Sequence, residues 1–200
     1  MKIGVLGGTF DPVHLGHLAI AEEARLSQGL SEVIMVPAGQ PVMKPDEYVT
    51  PAEHRLNMLR LAIEGKPGLR VSDIEILRSG PSYTVDTIAQ MRNSSGANVD
   101  LYFIIGWDSL AQLPEWREPS RIIEMCRLIA VPRPGYRRPD MGKLERKIPG
   151  ISGKTILLDK PLIDVSASAI RKILASGESV ERFVPAPVAE YIRKYNLYHR

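Results

Sequence analysis

The chain has 200 residues, 44% hydrophobic and 24% charged, which is ample for one domain with a sizeable core and excludes a disordered polypeptide. Lys and Arg number 26 against 23 Asp and Glu, a net charge of +3 that suits phosphate-bearing partners without requiring nucleic acid. A single cysteine, Cys126, excludes an intrachain disulfide framework and a multi-cysteine zinc cluster, and beside the apolar run Leu128 to Val131 it reads as a buried, inert thiol.

Strand-type runs alternate with helical periodicity along the whole chain. The opening MKIGVLGG holds a strand at Lys2 to Leu6 and is too short for a signal peptide's apolar region. Glu32 to Pro37, Leu69 to Ile76, Asp100 to Gly106, Arg127 to Pro132 and Thr155 to Leu158 read as further strands. The segments IGVL, VIMV, LYFII and LIAV are apolar on both faces, as strands covered by helices on each side must be. A helix begins near His14. Thr50-Pro51-Ala52-Glu53 combines a capping box with proline at a helix start, ahead of a stripe of Leu56, Leu59 and Ile63. Val85 and Ile88 mark a helix opened near Ser82. Ser166 caps one striped by Ile170, Ile173 and Leu174 and closed at Gly177, and Pro187 opens the last, with Val188, Tyr191, Ile192 and Tyr195 inward. This order predicts an α/β domain with a mostly parallel sheet. No run approaches the ~20 apolar residues of a membrane span, so a soluble, reduced, cytoplasmic protein is expected. Arg133 to Gly153, rich in Pro, Gly, Arg and Lys, reads as a mobile surface loop rather than a substrate lid.

The segment richest in chemistry is Gly7-Gly8-Thr9-Phe10-Asp11-Pro12-Val13-His14-Leu15-Gly16-His17. Its glycines permit a turn in which backbone approaches a ligand, and the helix beginning near His14 aims N–H groups and a positive dipole end at that turn. It follows the first parallel strand, where open α/β sheets bind nucleotides. His14 and His17 are three apart, so both imidazoles emerge on one face. Zinc ligation, a structural pair, and phosphate binding with transition-state stabilisation all compete for them. Neither a G-x-G-x-x-G nor a P-loop G-K-[ST] is spelled here. In Ser166-Ala167-Ser168-Ala169-Ile170-Arg171, a hydroxyl, helix-start N–H groups and a guanidinium can converge on one anion. Lys44 stands in the loop beyond the second strand, so all three clusters fall on one sheet edge.

GGTFDPVHLGH resembles the (H/T)xGH motif of the nucleotidyltransferase superfamily, and in this spelling it is similar to the nicotinate mononucleotide adenylyltransferases of bacteria. PAEHRLNMLRLA, GPSYTVDTI, FIIGWDSL, Leu113 to Trp116, Arg133-Pro134-Gly135, VSASAIR and VPAPVAEYIRKYNLY extend the likeness over nearly the whole chain. The resemblance implies a Rossmann-like, doubly wound parallel sheet of about six strands with helices on both faces. It implies one domain over 1–200, whose C-terminal helical part (about 165–200) carries a second ATP motif. Gly8, Thr9, Phe10, His14, His17, Gly106, Asp108, Ser168 and Arg171 would then bind ATP. Lys44, Tyr83, Thr84 and Trp116 would bind nicotinate mononucleotide, and His17, His14, Lys44 and Arg171 would serve the chemistry. Three positions depart from the family's spelling: Met43 where His is frequent before the lysine, Ala167 for a hydroxyl residue, and the bulky Trp107 after Gly106.

The implied reaction is attack of the mononucleotide phosphate on the α-phosphorus of ATP, expelling pyrophosphate. Two mutually repelling anions must be aligned and growing charge stabilised, which is positioning plus electrostatics. Mg²⁺ would ride on the ATP phosphates, with no metal site of the protein's own. Neither nucleic acid nor a membrane is an expected partner. The pantetheine-phosphate type of transferase is the nearest rival, against which SYTVDT argues. From another class come a non-catalytic nucleotide sensor and an RNA-binding fragment, for which neither a KMSKS-like loop nor an aromatic-rich basic face is present. His54 and His199 read as surface residues.

Overall fold

The first half of the chain runs β1 (Lys2–Gly8), α1 (Leu15–Gln28), β2 (Glu32–Pro37), α2 (Ala52–Ile63), β3 (Leu69–Val71), α3 (Ile74–Leu77) and α4 (Thr84–Ser94). There follow β4 (Asp100–Gly106), α5 (Trp107–Gln112), a 3-10 turn (Leu113–Glu115), α6 (Pro119–Met125), β5 (Arg127–Val131), α7 (Met141–Lys147) and α8 (Ile151–Lys154). β6 (Thr155–Leu157), α9 (Ala167–Ala175) and α10 (Ala186–Lys194) complete it. The computed structural model describes residues 1–42, 48–96, 98–161 and 163–198. Lys44, Met43 and His199 lie outside the described residues.

Period-two alternation divides each central strand between two apolar layers. In β4, Leu101, Phe103 and Ile105 join a core with Val85 and Ile88 of α4, Leu110 of α5 and Ile122 of α6. Tyr102 and Ile104 join the opposite core, with Leu18 of α1, Leu59 of α2, Ile170 of α9 and Val188 of α10. Burying each such Leu or Ile stabilises the fold by about 1.5–3 kcal/mol. The strands pair in parallel in the order β3-β2-β1-β4-β5-β6, with Leu6 opposite both Met35 and Ile104. This is the doubly wound, Rossmann-like sheet with helices on both faces. Successive strands are added outward in one direction from β1 and in the opposite direction from β4, so a crevice opens between these two parallel neighbours at their carboxyl ends.

Four local expectations give way to stronger forces. The third strand stops at Val71 because Ser72 and Asp73 turn the chain, and Asp73 O accepts the N–H groups of Ile76 and Leu77 to start α3. The expected loop at 133–153 instead contains α7 and α8. Asp140 Oδ1 caps α7 by accepting from Lys143 N–H at 3.0 Å, and Leu144 of α7, Ile148 at its end and Ile151 of α8 are buried. Thr50 forms no capping box, because its N–H donates to Asp11 and its carbonyl accepts from Arg55. Tyr195, expected inward, is 46% exposed, its ring tilted against that of Tyr191 at 4.4 Å. Ser166 does cap α9, accepting from Ala169 N–H at 3.2 Å, and Gly177 closes it at φ 80°.

Candidate active site

Two cavities open side by side at the carboxyl ends of β1 and β4, and Gly7, Thr9, Phe103 and Trp116 line both. The larger, about 370 Å³, also takes in Gly8, Tyr83 and Thr84. The other, about 320 Å³, is lined by Phe10, His14, His17, Gly106, Asp108, Ser168 and Arg171. The described site residues thus converge, with one change: Gly8 lies in the cavity holding Tyr83 and Thr84. The turn after β1 also differs from the expected glycine turn. Its left-handed residue is Phe10, at φ 50°, whereas a Cβ at Gly8 would press on the Phe10 ring at 3.2 Å.

His14 is the N-cap of α1 and His17 stands one turn on. Their rings stack at 3.7 Å between centroids, and Phe10 meets His17 edge-on at 4.8 Å. His14 N–H donates to His17 Nδ1 at 3.3 Å, which places the proton of neutral His17 on Nε2. His14 Nδ1 is buried without a partner among the described residues. Burial, aided by the Arg133 charge, lowers the His14 pKa to about 4. Burial first, then His14 and Arg133, holds His17 well below 6.5. Both imidazoles are therefore neutral at pH 7, and an incoming polyanion would raise both values. At the helix start, Leu15 N–H donates to Phe183 O, whereas Gly16 lines the cavity.

Several residues outside the expected set also shape the site. Arg133 pairs with Asp108 at 2.5 Å, supplying a second guanidinium in the cavity of Arg171. Its place in the Arg-Pro-Gly landmark directly after β5, at the active sheet edge, could have revealed it. Arg55, only 1% exposed, donates to Thr50 O at 2.8 Å, Thr9 O at 2.8 Å and Gly39 O at 3.4 Å. Burial lowers its pKa, opposed by the charges of Asp11, Tyr198 and Glu75. One buried cation thereby ties the loops after β1 and β2 to the start of α2.

In the larger cavity Ser82 is no helix cap; its Oγ accepts from Gly39 N–H at 3.0 Å and Gln40 N–H at 3.3 Å, joining the two cavity walls. Tyr83 occupies the N-cap of α4, under the Arg117 guanidinium at 4.7 Å. Glu75 accepts from the Thr87 hydroxyl at 2.6 Å. Trp116 meets Phe103 edge-on at 6.3 Å, with its Nε1 buried and unpartnered among the described residues. Trp107 lines neither cavity and packs against the core shared by β4 and α4. Among the described residues no group of three or more His, Cys, Asp or Glu could hold a metal ion, and no helix is long and apolar enough to cross a membrane.

A switch-point crevice with two adjoining cavities, paired histidines at a helix start and guanidinium groups at its far wall defines a nucleotide-binding α/β protein suited to phosphate chemistry. A model of the cytidylyltransferase-like family matches residues 5–173, and the chain belongs to that family. A Dehalococcoides mccartyi protein named "Probable nicotinate-nucleotide adenylyltransferase" is 51% identical over 200 residues, covering 100% of this chain and 98% of the relative. A protein of the same name from Roseiflexus sp. is 43% identical over 196 residues, 98% of this chain and 97% of its own. The fold also matches Plasmodium falciparum nicotinic acid mononucleotide adenylyltransferase complexed with NaAD, with a TM-score of 0.81, 23% identity, and coverage of 98% of this chain and 97% of that one.

Proposed function

We propose that this chain transfers the adenylyl group of ATP to nicotinate mononucleotide, releasing pyrophosphate and forming nicotinate adenine dinucleotide for NAD biosynthesis. The observation that carries the reading is the pair of cavities meeting at Gly7, Thr9, Phe103 and Trp116. One has a flat indole, hydroxyls and a helix start; the other has histidines and guanidiniums. Two nucleotides seated there would bring their phosphates together beside α1. The relatives at 43–51% identity over nearly their full length support the same pair of substrates.

The chemistry asks for alignment and charge stabilisation. The mononucleotide phosphate attacks the ATP α-phosphorus from the side opposite the leaving pyrophosphate, forming one P–O bond as the other breaks. No proton must leave the attacking oxygen, so no general base is needed. His17, with its proton on Nε2, donates to oxygen of the α-phosphoryl group as charge grows, while His14 grips phosphate. A neutral imidazole already carries the N–H that this task needs, and the nucleotide's negative charge raises the pKa of both rings as it binds. Arg171, together with Ser168 at the start of α9, holds the departing pyrophosphate, so the segment from about 165 onward completes the ATP site. Asp108, beside Gly106, faces the ribose, with Arg133 countering its charge. Lys44 adds positive charge toward the mononucleotide phosphate.

Trp116 stacks on the pyridine ring, while N–H groups at the start of α4 by Tyr83 and Thr84 receive the carboxylate. Mg²⁺ belongs to the Mg-ATP substrate, with phosphate oxygens and water as its ligands. A cytoplasmic setting suits these substrates and the buried thiol of Cys126, whose pKa burial pushes up to about 12. The test is an acceptor screen read by pyrophosphate release. With ATP, nicotinate mononucleotide should be the preferred acceptor over its amide and over phosphopantetheine, and preference for either of those would overturn the assignment.

A further inference from the structure

The loop from β1 to α1 holds a buried carboxylate that the transfer reaction itself does not use. Asp11 is 3% exposed. Its Oδ1 accepts from the Tyr198 hydroxyl at 2.6 Å, and its Oδ2 accepts from Thr50 N–H at 3.2 Å. Its backbone carbonyl accepts from Arg171 Nη1 at 2.7 Å. A single residue next to the histidine turn is thus held by the tail of the chain and in turn holds a guanidinium of the cavity wall.

We propose that Tyr198 is a positioning residue for adenylyl transfer: its hydroxyl fixes Asp11, and the Asp11 carbonyl fixes the plane of Arg171 toward the pyrophosphate end of ATP. This rests on the assignment of Arg171 to pyrophosphate. A long arginine side chain loses much of its rotamer freedom when one N–H is anchored, so a fixed carbonyl prepares it for an anion. That carbonyl is itself in a demanding place, because Phe10 immediately before it has φ 50°. An aromatic residue keeps such a conformation only where its surroundings over-determine it. Asp11, gripped at both carboxylate oxygens, supplies that constraint.

The tyrosine remains a donor over the working pH range. Burial and the Asp11 carboxylate raise its pKa, while a hydrogen bond with the Thr50 side chain and the nearby Arg171 charge oppose the rise. The ring also packs against the core that includes α1 and α10, and a phenylalanine could serve that purpose equally. The hydroxyl, which also meets the Thr50 side chain, is the group that donates to Asp11, so Tyr198→Phe removes these polar contacts and keeps the ring.

Steady-state kinetics and pyrophosphate inhibition of Tyr198→Phe, Arg171→Lys and the double variant test the proposal. Tyr198→Phe should raise KM for ATP about tenfold, the equivalent of 1.4 kcal/mol, and weaken pyrophosphate inhibition in proportion. KM for nicotinate mononucleotide should stay within about twofold, and the double variant should bind ATP no worse than Arg171→Lys alone, because both lose the same grip. Wild-type ATP and pyrophosphate constants in Tyr198→Phe, with Arg171→Lys weakened, would overturn the positioning role and leave the reading of Arg171 standing. Unchanged constants in Arg171→Lys would instead remove the reading on which the proposal rests, and the proposal with it. A lower active fraction and lower Tm with unaltered KM values would mark Tyr198 as structural only, and so refute it. Should Tyr198→Phe fail to fold, Asp11→Asn replaces it. The amide oxygen accepts from the hydroxyl more weakly than a carboxylate does, so the same pattern on ATP and pyrophosphate is expected, and its absence overturns the proposal.

Discussion

Lowering the pH should weaken this fold through its histidine pair. His14 is 6% exposed, and its pKa stands near 4 in the folded protein against 6.5 for an ordinary imidazole. Between those values the unfolded chain binds a proton that the native chain refuses. Stability is therefore complete above pH 6.5 and falls as pH drops toward 4, the direction fixed by the unfolded state's greater proton uptake. A gap of about 2.5 pH units at about 1.36 kcal/mol each gives about 3 kcal/mol for His14 when the loss is complete. His17, displaced in the same direction, adds to the slope. Urea unfolding of wild type and His14→Asn at pH 7.5, 6.0 and 4.5 reads the effect, and carboxylates common to both proteins cancel in the difference. Wild type should lose about 2–3 kcal/mol more than the variant between the highest and lowest pH. Parallel losses in the two proteins would refute the claim that burial keeps His14 neutral.

Three further outcomes follow from the site. His17→Ala should lower kcat about 10²- to 10³-fold with little change in KM for ATP, since it removes one preorganised donor; near-normal turnover in a folded variant would remove His17 from the chemistry. Helix-start donors that meet a carboxylate would meet an amide's NH₂ without an acceptor, a mismatch of about 1–3 kcal/mol plus the lost charged hydrogen bonds. kcat/KM should thus favour nicotinate over nicotinamide mononucleotide by about 10²-fold or more, and Trp116→Ala should weaken both while keeping most of the ratio; equal efficiencies with the two acceptors would contradict this reading of the pocket. Arg55→Lys cannot reach three carbonyls at once and should cost about 3 kcal/mol or more in urea unfolding, with kcat/KM reduced for both substrates; a loss below about 1 kcal/mol would show that the loops do not depend on it.

The sheet was legible because its central strands are apolar on both faces, a pattern that only helices on each side explain. Glu32–Pro37 and Asp100–Gly106 have the ends that the sequence predicts. The short edge strand β3 was overestimated because alternation in VSDIEIL continues through residues that turn the chain. At 133–153 the profusion of Pro, Gly and charge hid the widely spaced apolar residues Leu144, Ile148 and Ile151, which two short helices bury. The histidine turn, Ser168 and Arg171 stood out because they lie at helix starts on the sheet edge where strands end, whereas Tyr83, Thr84 and Trp116 entered as mononucleotide residues through the family resemblance. Arg55 could not be read in either way. An arginine on a helix normally reads as solvent-facing, and its burial depends on three carbonyls supplied by separate loops. Asp11 and Tyr198 were equally hidden, since 187 positions separate them in the chain. Ser82 looked like a cap because a hydroxyl before a helix usually is one, whereas the bridge from Pro41 to Ser82 draws it to the neighbouring loop.

The central claim is direct transfer between two nucleotides aligned by the protein. Its most direct test supplies Mg-ATP labelled at the α-phosphorus together with nicotinate mononucleotide, and follows the label over a single turnover. It should pass into the dinucleotide as unlabelled pyrophosphate appears, with none on the protein at any time. Labelled protein formed and consumed at the rate of turnover, or label remaining with adenine nucleotides while pyrophosphate is released, would contradict in-line attack by the mononucleotide phosphate.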